Sequence, residues 1–176
     1  FDEGSGLVAI DGSKNGNDGT LNGTMTAGDW IAGKSGTMLD LDGTDDYVSK
    51  ANPSFINDTQ GAVSLWVKID NLAVSQMIFS VSVDGATDDE FHLYFNAIDL
   101  KRFRIGMVQN GANVLYLYTE NDVITDNLLH HIVLTSDGST IKLYLDNVEK
   151  TLTATVGANS GQWFGSATDA NFFAVG

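Results

Sequence analysis

The stretch EFHLYFN, residues 90–96, decides how the chain folds. Phe91, Leu93 and Phe95 alternate with His92 and Tyr94. An extended backbone sends the first three to one face and the second pair to the other, whereas no helical period aligns them. The same two-residue rhythm recurs outward in both directions. AVSLWVKI (62–69) sets Val63, Leu65, Val67 and Ile69 against Ser64, Trp66 and Lys68. FRIGM (103–107) sets Phe103, Ile105 and Met107 against Arg104 and Gly106, and TIKLYLD (140–146) sets Ile141, Leu143 and Leu145 against Lys142, Tyr144 and Asp146. Shorter candidates are 6–10, 37–41, 46–50, 77–83, 114–119 and 130–136. Asp42-Gly43, Asp84-Gly85, Asn110-Gly111 and Asp137-Gly138 separate them as turns. No window of helical length carries a 3.6-residue period. The expected fold is all-β: two antiparallel sheets packed as a sandwich or jelly roll.

Composition narrows the function. The 176 residues suit one domain with a real core, and 43% are hydrophobic. A net charge of −14 repels nucleic acid and anionic membrane and attracts cations. With no cysteine, thiolate metal sites and thiol nucleophiles are excluded. No apolar run approaches the ~20 residues of a membrane span. The start at Phe1, without a leader pattern, reads as a mature or excised fragment.

One polar stretch stands apart, DGSKNGNDGTL (11–21), with three glycines and a single large apolar side chain. It reads as a connection and not as an ordinary strand. Asp11, Ser13, Asn15 and Gly16 follow the first half of a helix-flanked calcium loop. The second half fails, because Asn22 stands where a bidentate Glu is needed. Either a sheet loop wraps a calcium ion with Asp11, Asn15, Asn17, Asp18 and backbone carbonyls, or the stretch is a turn rich in left-handed residues. DGTDD (42–46) reads as a hairpin turn whose Asp45 and Asp46 can face the same ion. DGATDDE (84–90) reads as a solvated loop.

Several stretches in order carry a resemblance: 1–21, GKSGTMLDLDGTDDYV (33–48), AVSLWVKID (62–70) and LHHIVLTSDGSTIKLYLDNVE (129–149). Together they resemble the laminin-G-like, concanavalin A-like lectin/glucanase jelly roll in its bacterial and phage form. Leu129 replaces the family's tryptophan before the paired histidines, and Asn147 its turn glycine. The resemblance implies a single domain over 1–176, two curved sheets, and often one calcium ion, here at Asp11, Asn15 and Asn17. It also implies that a terminal strand beyond FFAVG (172–176) is missing. A sheet edge so exposed would invite a neighbouring protein chain. By the family's Trp-Val strand, Trp66 is expected in the core.

The expected function is a non-catalytic carbohydrate-binding or adhesion module of a secreted, cell-surface or virion protein, stabilised by structural calcium. The alternative is a structural decoration or assembly domain that binds protein. No Glu-x-Asp-x-Glu triplet of the glucanase kind occurs on one strand. His130 and His131 are adjacent and face opposite ways on a strand, so both cannot ligate one metal from it. A sugar is held by an aromatic ring and planar polar groups. The candidates are His92, Tyr94, Arg102, Arg104, Tyr144 and, as an exposed anchor or a plug at the sandwich end, Trp163. The two arginines suit a uronate or sulfate, or else salt bridges within an acidic domain. Tyr116 and Tyr118 face together, as core or as a sticky surface.

Overall fold

The computed structural model describes residues 1, 3–85, 89–98 and 100–176. In chain order the strands are β1 (Val8–Ala9), β2 (Gly19–Asn22), β3 (Trp30–Ala32), β4 (Thr37–Leu39), β5 (Tyr47–Ala51), β6 (Gly61–Lys68), β7 (Gln76–Ser82) and β8 (Glu90–Asn96). They continue as β9 (Arg102–Gln109), β10 (Ala112–Tyr118), β11 (Leu129–Ser136), β12 (Ile141–Leu145), β13 (Val148–Lys150), β14 (Thr153–Val156) and β15 (Phe172–Val175). A nine-stranded sheet runs β1-β2-β5-β15-β7-β8-β9-β10-β14, and a four-stranded sheet runs β13-β12-β11-β6. The β3–β4 hairpin stands as a separate pair. Every pairing is antiparallel.

The period-two reading is realised side chain by side chain. Phe91, Leu93 and Phe95 of β8, Phe103 and Ile105 of β9, and Leu115 and Leu117 of β10 are fully buried. They pack in one core with Ile132 and Leu134 of β11 and with Ile141 and Leu143 of β12. The two sheets are therefore the walls of one sandwich, with alternating polar side chains on its outsides. A smaller cluster of Ala9, Leu21, Met25, Trp30, Leu39 and Val48 closes the end where the hairpin covers β1, β2 and β5.

Three expectations change. Gly19, Thr20 and Leu21, read as part of a polar loop, belong to β2, and Leu21 is buried. Gly19 is there because a side chain would not fit: a Cβ would stand 2.6 Å from Val48 Cγ1. Phe172–Val175, not among the expected strands, is one, held on both sides by β5 and β7. Trp66 is 45% exposed and not in the core. Period two had already placed it opposite Leu65 and Val67, and the backbone follows that alternation. No described helix is long and apolar enough to cross a membrane.

Candidate functional site

Strands β8, β9 and β10 lie side by side, so their outward residues form one surface. Register sets His92 against Gly106, Tyr94 against Arg104, Gly106 against Tyr116, and Arg104 against Tyr118. Four of the six ligand candidates, His92, Tyr94, Arg102 and Arg104, thus share one patch, joined by Tyr116 and Tyr118. The Arg104 guanidinium lies 4.7 Å from the Tyr94 ring centroid and 4.9 Å from that of Tyr116. Arg102 lies 4.0 Å from the Tyr118 ring. Such stacking holds a cation in place without neutralising it. Among the described residues no carboxylate pairs with Arg104, and its Nε is buried without a hydrogen-bond partner. Buried donors rarely stay unsatisfied, so this one asks for an explanation.

His92 completes the patch and is only 4% exposed. Its ring lies across Gly106, where an added Cβ would stand 2.1 Å from Nε2. Arg104 Nη2 donates to His92 Nε2 at 3.2 Å. A guanidinium has no lone pair to offer, so Nε2 must be the acceptor and the ring proton sits on Nδ1. That Nδ1 stands 3.1 Å from Glu90 Oε1, too poorly aligned to count as a hydrogen bond. A chain of groups therefore runs from Glu90 through His92 to Arg104 and fixes the guanidinium edge-on.

The other two candidates lie elsewhere. Tyr144 pairs with Val133 and Glu149 on the outer face of the four-stranded sheet, across the sandwich from Arg104. Trp163 is 2% exposed, stacked on Phe164 at 4.7 Å and packed against Phe91. It plugs the sandwich end, and the reading of it as an exposed anchor is overturned. The Gly-rich context that suggested a surface loop has another cause. Gly61 and Gly165 let backbone approach closely, and a Cβ on Gly61 would stand 2.8 Å from Trp163 Nε1.

In the 11–18 loop, Asp11 gathers the chain around itself. Its carboxylate accepts from the N–H of Ser13 at 2.8 Å and of Asn17 at 2.9 Å, and its own N–H donates to Asp18 Oδ1 at 2.7 Å. The Ser13 hydroxyl and these N–H groups hold the Asp11 pKa down at about 2, so the group is a carboxylate at any ordinary pH. Asn15 is exposed, and its N–H donates to Ser13 Oγ. Asn17 turns its side-chain amide onto Ser54, both donating and accepting. The donors are oxygens alone, which suits a hard cation such as calcium. Among the described residues, Asp42, Asp45 and Asp46 also bring oxygens within 4.8 Å of one another. Asp46 there accepts from Thr24 N at 3.0 Å and from Asp42 N at 3.2 Å. Of the 84–90 stretch, residues 86–88 lie outside the described residues.

The paired histidines part as expected. His131 faces outward and hydrogen-bonds Ser64 Oγ. His130 is clamped between two carboxylates, Nδ1 on Asp146 at 2.7 Å and Nε2 on Asp126 at 2.9 Å. Burial pulls its pKa down, but the hydrogen bonds and charges of Asp146 and Asp126 together outweigh this and raise it. Asp146 is pushed up by burial yet ends lowered by His130 and the His131 N–H. The imidazolium thus contributes stability fully below its ordinary pKa of about 6.5, and that contribution is lost as pH rises through the raised folded value. The aspartates contribute above about 3.9 and lose their part as pH falls through their lowered values. Melting curves of the wild type and His130→Gln are expected to converge as pH climbs from 6.5. Parallel profiles over that range would show that the clamp adds nothing.

Comparison with known proteins fits this architecture. The family model described as the concanavalin A-like lectin/glucanases superfamily (Laminin_G_3) matches residues 42–174. No curated protein matches the sequence. Among solved structures, the chain is similar to domain 4 of AbnA, a GH43 extracellular arabinanase from Geobacillus stearothermophilus, in complex with arabinotriose. The TM-score is 0.64 and identity 17%, over 96% of this chain and 77% of that one. It is similar to the CBM40 of the Ruminococcus gnavus IT-sialidase, with TM-score 0.55 and identity 15%, over 70% and 66% of the two chains. That CBM40 was also solved bound to α2,3-sialyllactose. An S-layer domain-containing protein from Clostridium thermocellum gives TM-score 0.53 and identity 20%, over 90% and 73%. At these identities the likeness to solved structures is one of fold. With a family match over most of its length and a two-sheet antiparallel sandwich, the chain belongs to the concanavalin A-like lectin/glucanase superfamily.

Proposed function

We propose that this domain is a non-catalytic carbohydrate-binding module that works outside the cell, and that its glycan site is the outer face of β8, β9 and β10. The observation that carries the reading is Arg104, a guanidinium fixed between two tyrosine rings with no carboxylate beside it among the described residues, in a domain of net charge −14. Intramolecular acids are abundant, yet this cation is left for something else. Its planar fork matches a carboxylate or sulfate, and the flanking rings offer apolar faces to a sugar. The proposed ligand is accordingly a glycan bearing an anionic group. Arabinotriose and sialyllactose on similar folds support the general reading.

Hydrolysis by this face lacks its usual machinery. Glycosidases commonly need two carboxyl groups across the scissile bond. Glu90 is the sole acid on β7, β8, β9 and β10, and His92 occupies its near side. Binding to an array of sulfated, uronate-bearing, sialylated and neutral glycans tests the proposal. Arg104→Gln is expected to weaken anionic ligands by about tenfold or more, with Arg104→Lys intermediate because it keeps charge but loses the fork. Anionic-glycan binding indifferent to both changes would refute the site.

A structural calcium ion in the 11–18 loop is part of the proposal, held by Asp11, Asp18 and nearby backbone carbonyls. Asn17 would secure the loop to Ser54. A bound cation would offset repulsion among the acids and stiffen the entry into β2. Chelation with EDTA is expected to lower the melting temperature of the wild type, and added calcium to restore it. Asp11→Ala should melt alike under both treatments. Identical melting of the wild type with and without chelator would remove calcium from the account.

A further inference from the structure

The opposite side of the sandwich carries a second ring platform with different chemistry. Trp66 on β6 is 45% exposed, against 8% for Trp30 and 2% for Trp163. Its register partner on β11 is His131, and the two rings stack at 5.0 Å and 29°. Ser64 Oγ bonds His131 Nε2 at 2.9 Å, which fixes the imidazole and, through it, the indole. Lys34, from the β3–β4 turn, holds its ammonium 5.0 Å from the Trp66 ring centroid. Tyr144 on β12 stands one strand further on, opposite Val133 on the same face. Strands lie ~4.8 Å apart and rise ~3.3 Å per residue, so Trp66 and Tyr144, two strands and two residues apart, stand roughly 12 Å apart across the sheet.

We infer that the outer face of the four-stranded sheet, centred on Trp66, His131 and Tyr144, is a separate binding platform for an uncharged glycan. An exposed indole stacked on a fixed imidazole is already ordered, so little side-chain freedom remains to be lost on binding. Its surroundings are hydrogen-bonding groups at the height of sugar hydroxyls: the Lys34 ammonium, the His131–Ser64 pair and the Tyr144 phenol. Two of the cations near it are paired with carboxylates. Lys68 pairs with Asp70, and Lys142 with Glu149 at 3.6 Å. Lys34, over the indole, is a point charge that donates to sugar hydroxyls without the bidentate fork that Arg104 presents to a carboxylate or sulfate across the sandwich. The platform rests on its own residues and does not depend on the Arg104 site.

Trp66 also supplies the readout, because the other two tryptophans are buried. The probes are soluble arabinan, xylan, galactomannan and mixed-linkage β-glucan. At least one is expected to shield tryptophan emission from acrylamide and to retard the protein in an affinity gel. Trp66→Ala should weaken that retardation by about tenfold or more and Tyr144→Ala should weaken it less, while Trp66→Phe restores part. Circular dichroism checks that the variants fold. The inference is overturned if none of the four polysaccharides shields or retards the protein, or if retardation survives Trp66→Ala. It is equally overturned if sedimentation shows a dimer that Trp66→Ala dissolves, since the platform would then be covered by a second copy.

Discussion

Trp163→Ala is expected to destabilise the domain by about 3–5 kcal/mol, the range for emptying a buried tryptophan site. The indole is nearly fully buried and stacks on Phe164 with an interplanar angle of 13°. Phe164 in turn contacts Phe55, Phe79, Phe91 and Phe173, so the cavity would open beside a connected aromatic cluster at one end of the sandwich. Backbone rigidity on both sides limits collapse: Gly61 lies against the indole, and Gly165 lies against Asn57. For a domain of this size the change corresponds to a fall in Tm of roughly 10 °C. Urea unfolding measures it directly. Glycan affinity of the folded fraction is expected to stay unchanged, because the residue is remote in function from either outer face. A well-folded Trp163→Ala protein that loses glycan binding would restore the anchor reading that its burial overturns.

Gly106→Ala carries the second large effect, and it acts on stability and binding together. The residue has ordinary backbone angles, since it is absent from the positive-φ glycines. Alanine therefore meets no backbone strain, and only space is at issue. The added Cβ would fall 2.1 Å from His92 Nε2 and 2.5 Å from Cε1, so the imidazole must leave. Its departure removes the acceptor for Arg104 Nη2 and frees the guanidinium from its fixed edge. Overpacking of this kind destabilises by about 1–3 kcal/mol. Anionic-glycan affinity is expected to fall roughly tenfold, approaching the Arg104→Gln value. The double variant Gly106→Ala/His92→Ala relieves the clash and should recover stability but not affinity. Full affinity in Gly106→Ala would mean that the His92–Arg104 contact does not position the ligand site.

The sequence revealed most of the fold because the long strands obey one rule. In β8 and β12 each inward residue is large and apolar and each outward one is polar-tipped, so alternation alone sorts them; β9 follows as far as Ile105. That rule also delivered the Arg104 patch, since residues 92, 94, 102 and 104 are outward by parity and the short Asn96–Arg102 connection makes their strands neighbours. It could not place Tyr144, because parity names a face within a strand and says nothing about which sheet the strand joins. Trp163 was misread because local composition around it is turn-like, while its burial comes from Gly61 and Phe91, distant in sequence. Trp66 shows the reverse: the family's Trp-Val strand implies core, while parity within β6 puts the residue outward, where the structure has it. β2 and β15 were missed because they are only four residues long. Such segments hold their shape through neighbours on both sides and carry little pattern of their own.

The seat of β15 has a kinetic consequence. β5 borders only β2 and β15 in the nine-stranded sheet, and β7 meets that half of the sheet only across β15. Residues 48–51 must therefore wait for residues 172–175 before the two halves of the sheet are stitched into one. Closing so long a loop is entropically expensive and slows assembly. During synthesis the first fifty-odd residues, with their acidic loop, emerge from the ribosome long before their seam exists.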